Sequence, residues 1–95
     1  MLITEIESLI MAAVAEVLRD KGIDAAVGPD FQLFGTGSAI DSLDLVGIVV
    51  QLEEGIVVQT GRTIEIVDEN SVVNDDSPFR TVSTLAKLTQ QKLEA

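Results

Sequence analysis

An all-α fold is predicted by three observations. Apolar residues recur at helical spacing around residues 6–18, 45–56 and 82–93. Glycine and proline concentrate between the first two of these runs, at Gly22, Gly28, Pro29, Gly35 and Gly37. The stretch RTIEIV (62–67) alternates like a short strand but has no clear partner, so it reads as an extended connector. The expected architecture is a small three-to-four-helix bundle with a long first loop, one domain over residues 1–95.

Composition narrows the function classes. Apolar residues make up 46% of the chain and aromatics only 3%, so the core must be aliphatic. Sixteen acids against six bases give a net charge of −10. That argues against a nucleic-acid partner, which needs clustered Lys and Arg. It favours partners with basic surfaces, and it opposes self-association, so a monomer is expected. The absence of Cys and His removes disulfides, thiolate sites and the common zinc sites. MLITEIESLI lacks the basic start of a secretory signal, and the apolar run from Leu9 to Ala15 is too short to span a bilayer. The expectation is a soluble cytoplasmic protein without membrane insertion.

The first helix opens at Thr4, which with Glu7 fits a capping box. Ile6, Leu9, Ile10, Ala13, Val14, Val17 and Leu18 form its apolar face, and Lys21 with Gly22 fits its stop. Residues 22–40 read as the long loop, pinned to the core by Phe31, Leu33, Phe34 and Ile40. The second helix starts near Asp41 or Ser42 and runs to about Gln59, with Thr60 and Gly61 ending it. Leu45, Val49, Leu52 and Ile56 mark its buried stripe, which Val46, Ile48 and Val50 are expected to widen. Its β-branched residues lower helix propensity, so tertiary packing must hold it. Residues 68–76 allow a short helical turn, and Ser77–Pro78 break the chain. The last helix runs from about Thr81 to Leu93, with Val82, Leu85, Ala86, Leu88, Thr89 and Leu93 inward.

The functional question is set by GTGSAIDSLDLVGIVVQLEE (35–54). A catalytic serine needs an adjacent base and an orienting acid. Asp41-Ser42-Leu43 resembles the serine block of one hydrolase family, but that family needs a histidine, and no basic residue stands between Lys21 and Arg62. Catalysis by Ser42 is therefore disfavoured. The serine reads better as an acceptor. Asp41 is a good N-cap, Asp44 follows three residues on, and Ser42 falls in the first turn with its hydroxyl expected to face solvent. A phosphodiester there would meet free backbone N–H groups and the positive end of the helix dipole. Residues 22–61 hold Asp24, Asp30, Asp41, Asp44, Glu53 and Glu54 and no base, so enzymes approaching Ser42 should present Lys and Arg. In isolation each feature has a plainer reading: a serine that caps, acids that solvate, valines that pack. Their order along one chain is what singles out the acceptor.

On IDSLDLV (40–46), LEE (52–54) and, more weakly, FRTVSTLAKL (79–88), the sequence resembles an acyl carrier protein, with the layout matching from about Glu5 to Leu93. The resemblance implies that Ser42 carries 4'-phosphopantetheine, whose thiol holds acyl groups as thioesters for fatty-acid, lipid or polyketide-type biosynthetic enzymes. It implies that Asp41, Leu43 and Asp44 form the block read by the phosphopantetheinyl transferase that installs the arm from coenzyme A. It further implies that Asp44, Glu53 and Glu54 meet acyl-transferring or synthase enzymes with basic docking surfaces, and that Val46, Ile48, Val49 and Val50 line or neighbour the cleft for an acyl chain. The protein would then be no enzyme itself but the handle for a cofactor's chemistry. The chain departs from the family at Gly47, where an acid is common. It departs again in the longer stretch 56–77, with its inserted VVNDDSPF. These departures imply a specialised carrier with its own synthase or acyltransferase. Two other readings stand beside this one: a non-covalent helical adaptor whose acidic face docks a basic partner, and a peptidyl carrier. DENSVVNDDS makes a poor calcium loop, lacking the sixth-position glycine and the closing glutamate, though loose divalent binding at Asp75 and Asp76 is compatible with the charge.

Overall fold

The structure, a computed structural model, describes residues 2–33, 39–66 and 80–94, and of Ser42 the backbone alone. Three helices follow one another: α1 (Ile3–Asp20), α2 (Ser42–Thr60) and α3 (Val82–Glu94). No strand forms among the described residues; one isolated antiparallel bridge pairs Gln32 with Thr81. The expected fourth helical turn at 68–76, the Ser77–Pro78 break, Phe34, Phe79 and the Asp75–Asp76 pair lie outside the described residues.

Helix α1 is central, packing against both α2 and α3. Its periodic residues Ile6, Ile10, Ala13, Val14 and Leu18 are buried as the spacing predicts, with Leu9 and Val17 half-buried beside them. Its start differs from expectation. The helix begins at Ile3, ahead of Thr4, and it is Glu5 that reaches back, its Oε1 accepting a 2.8 Å bond from the N–H of Leu2. Leu2 offers no side-chain acceptor, so only half of a capping box forms, and Thr4 lies inside the first turn. The end follows the sequence closely. Gly22 has φ 74°, and the N–H groups of Gly22 and Ile23 bond to the carbonyls of Arg19 (3.0 Å) and Leu18 (2.8 Å). This is a Schellman stop, which needs a left-handed residue and so favours glycine.

The chain beyond α1 has no regular structure through residue 33, yet it is tied down. The N–H of Leu33 bonds to the carbonyl of Arg80 (2.7 Å), that of Val82 to Phe31 (3.2 Å), and that of Ser83 to Pro29 (2.8 Å). The loop thus satisfies backbone groups at the start of α3, while Thr81 and Thr84 cap that helix reciprocally through N–H to Oγ1 bonds of 3.2 and 2.9 Å. Leu33, Ile40 and Ile66 enter the aliphatic core with Leu45, Ile48, Leu52, Ile56, Val82, Leu85 and Ala86. Buried Thr89 is satisfied by its bond to the Leu85 carbonyl (2.9 Å).

Helix α2 ends at Gly61 (φ 73°), whose N–H bonds to the Val57 carbonyl. Next to it, the Arg62 guanidinium donates to the carbonyl of Leu93, placing a cation at the negative end of α3. Residues 62–66 that follow form no helix or strand among the described residues, with Ile64 half-buried and Ile66 fully buried.

Candidate functional site

The candidate site is the start of α2. Asp41 is extended (φ −91°, ψ 176°) and caps the helix. Its Oδ1 accepts from the N–H of Asp44 at 2.8 Å, and Asp44 Oδ2 accepts from the N–H of Asp41 at 3.4 Å. This reciprocal box satisfies two donors that a helix start otherwise leaves open. Ser42 is therefore the first helical residue, on a backbone fixed from both sides. The expectation for its hydroxyl concerns a side chain outside the described set. Leu43, next along, is 81% exposed.

The structure adds a residue that sequence reasoning assigned only to the stop of α1. Lys21 reaches across to the start of α2, where its Nζ forms an ion pair with Asp44 Oδ2. The same Nζ lies 3.8 Å from Asp41 Oδ2 and donates to the Ala39 carbonyl at 3.3 Å. The hydrogen bond from Lys21 holds the Asp44 carboxyl below its ordinary value, against partial desolvation and with help from the Asp41 N–H. The same bond raises Lys21, again against desolvation. The block at residues 41–44 is thus an acidic pair with a resident base. A signal for it exists in the sequence: Lys21 is the last base before a run of acids that continues to Arg62. What periodicity does not reveal is that the start of α2 lies against the very end of α1, where Lys21 sits.

The remaining site residues separate by face. Ile48 and Val49 are in the core, at 0% and 3% exposure. Val46 and Val50 stand on the outer face at 56% and 46%, so the buried stripe is not widened in their direction. The reason is geometric. Leu45, Ile48, Val49, Leu52 and Ile56 already fill the side of α2 that faces the core, and Val46 and Val50 project on the opposite side, in line with Leu43 and Val57. Glu54 is exposed. Glu53 is half-buried, and its Oε2 accepts a 2.8 Å bond from the backbone N–H of Ile66. One acid of the expected docking pair therefore also anchors the connector.

An open groove of about 430 Å³ lies at the end of α1, lined by Leu18, Arg19, Ile23 and Asp24. A second, about 300 Å³, runs between α1 and α2, floored by Leu9, Ala12 and Gly55 and rimmed by Glu16, Gln51 and Glu54. Gln51 Nε2 donates to Glu16 Oε2 across it at 3.2 Å. Neither groove includes the start of α2. Among the described residues no helix is long and apolar enough to cross a membrane.

No protein-family model, no curated protein and no solved structure matches this chain. The functional reading rests on the chain's own residues.

Proposed function

We propose that this chain is an acyl carrier protein, a specialised member, with 4'-phosphopantetheine attached to Ser42. The observation that carries the reading is the Asp41–Asp44 box, which makes Ser42 the first residue of a rigid helix beside a fully presented Leu43. A transferase needs its acceptor on a fixed backbone with recognisable neighbours. Asp41, Leu43 and Asp44 supply two anions and an apolar contact around Ser42. The first-turn N–H groups and the dipole favour the phosphodiester that the arm brings. Lys21 adds a nearby cation. When bound, the arm supplies the thiol that this cysteine-free chain lacks.

The other residues support the same reading. Leu43, Val46 and Val50 form an exposed apolar line on α2, with Glu54 exposed along the same helix. That combination suits synthase or acyltransferase surfaces that pair apolar contacts with Lys and Arg. An acyl chain sheltered by the helices would lie against Ile48 and Val49 on the core side. Val46 and Val50 would serve the docking face. In this reading the protein is a cytoplasmic monomer and a substrate of enzymes.

The exposed apolar line also favours a second reading, a non-covalent adaptor that docks a basic amphipathic partner with Ser42 unmodified. Intact mass separates the two. Incubation with coenzyme A and a broad-specificity phosphopantetheinyl transferase is expected to add one phosphopantetheine group to the wild-type chain and none to Ser42→Ala. No gain on the folded wild-type protein would overturn the carrier reading in favour of the adaptor.

A further inference from the structure

We propose that Lys21 is a specificity-determining residue for docking at the start of α2: a resident cation that an incoming basic group must displace from Asp44. The proposal deepens the carrier reading and rests on it for the identity of the natural partners. Its physical basis does not.

The geometry is as follows. Lys21 follows the last residue of α1, where the Schellman turn of Gly22 and Ile23 fixes the backbone. From there its ammonium meets three acceptors on the other side of the loop: Asp44 Oδ2, Asp41 Oδ2 at 3.8 Å and the Ala39 carbonyl at 3.3 Å. Its side chain is 31% exposed and that of Asp44 is 22% exposed, whereas Asp41 is 67% exposed. The pair is thus partly sheltered but reachable from solvent. Asp44 Oδ2 also accepts from the Asp41 N–H at 3.4 Å, a second and weaker contact that helps orient the carboxylate.

The consequence follows from charge. A docking Lys or Arg gains attraction from Asp41 and Asp44 but meets repulsion from Lys21, and it reaches Asp44 fully only by replacing the lysine. An internal cation at contact distance therefore weakens binding of simple cationic groups. It selects partners that add other contacts, such as an apolar surface for the exposed Leu43. The start of α2 is acidic by composition yet guarded, so general attraction to any basic surface is reduced there while the rest of the acidic chain still steers approach.

The test uses the full chain and a pentalysine peptide as probe. The titration is followed by the backbone amide signals of residues 41–44. Lys21→Gln is expected to bind the peptide about three- to fivefold more tightly at these residues, the change that one unit charge at contact distance makes in water. Lys21→Arg is expected to behave as wild type. Lys87→Gln removes the same charge from an exposed position on α3 and serves as the control for net charge. It is expected to leave affinity at residues 41–44 within a factor of about 1.5, because Lys87 is exposed, forms no ion pair with Asp41 or Asp44, and is screened by salt. Equal or weaker binding by Lys21→Gln, or equal tightening by Lys87→Gln, would overturn the proposal. Thermal melts of each variant confirm that the fold is retained, and Lys21→Met repeats the comparison if Lys21→Gln loses the loop contact. The peptide readout does not require modification of Ser42. A failed mass gain with tighter Lys21→Gln binding would therefore sink the carrier reading alone. A mass gain without tightening would sink the guard alone.

Discussion

Glu53 Oε2 accepts a 2.8 Å hydrogen bond from the backbone N–H of Ile66. Ile66 is fully buried, and residues 62–66 pair with no strand among the described residues. This carboxylate therefore satisfies the amide of a buried residue that lies outside regular secondary structure. Glu53→Ala is expected to cost about 1–3 kcal/mol, the penalty for leaving a sheltered donor unpaired. Glu53→Gln, which keeps an acceptor oxygen, should cost distinctly less. Urea unfolding gives the stability change, and hydrogen exchange at the Ile66 amide locates it. Unchanged exchange in Glu53→Ala would refute the anchoring role.

The Lys21–Asp44 pair makes a pH prediction with a definite sign. Asp44 is held below its ordinary 3.8, chiefly by the Lys21 hydrogen bond. Its contribution to stability is therefore present above pH 3.8 and lost as pH falls through its lower folded value. Lys21 is raised above its ordinary 10.5, chiefly by the same bond. Its contribution is present below pH 10.5 and lost as pH rises through its higher folded value. Between those limits the pair is constant. A carboxyl-carbon NMR titration should show Asp44 titrating higher in Lys21→Gln than in wild type. Identical titration curves would mean that the pair does not form in solution.

The two sides of α2 should respond unequally to truncation. Ile48→Ala removes a fully buried side chain and is expected to cost about 2–5 kcal/mol. Val50→Ala, on the exposed side, should stay within about 0.5 kcal/mol. Gly47 lies on that exposed side, and a Cβ there meets no atom within 4 Å. Gly47→Ala should therefore raise stability by about 0.5–1 kcal/mol through helix propensity. Gly55→Ala differs, because its Cβ would stand 3.3 Å from Leu9 Cδ2 where α1 meets α2, and the propensity gain is offset by that contact. Chemical denaturation of the four variants ranks them. A large loss for Val50→Ala would show that its side of the helix is covered.

Much of the fold is legible in the sequence because the relevant signals are local. Ile6, Ile10, Val14 and Leu18 define α1 by spacing alone, and Gly22 and Gly61 end α1 and α2 because each stop requires a positive φ. Asp41 and Asp44 identify the start of α2 by a capping pattern only four residues long. The start of α1 was less legible. Thr4 is the better capping residue by type, but a helix beginning at Ile3 lets Glu5 take the Leu2 N–H while Ile6 is buried. For the candidate site, local signals placed Ser42, Asp41 and Asp44 together but did not separate Ile48 and Val49 from Val46 and Val50. Helix α2 is apolar on both sides, so periodicity is weak there.

The sequence by itself determined the helical class, the order of the three helices, the caps around Ser42 and the aliphatic core. Each of these depends on residues within about two turns of one another. Tertiary structure alone decided which side of α2 is covered, that Glu53 holds Ile66, and that Lys21 reaches Asp44. Those facts depend on contacts between residues that are distant along the chain. Such long-range pairing is set by the packing of all the elements at once and leaves no local periodicity to read.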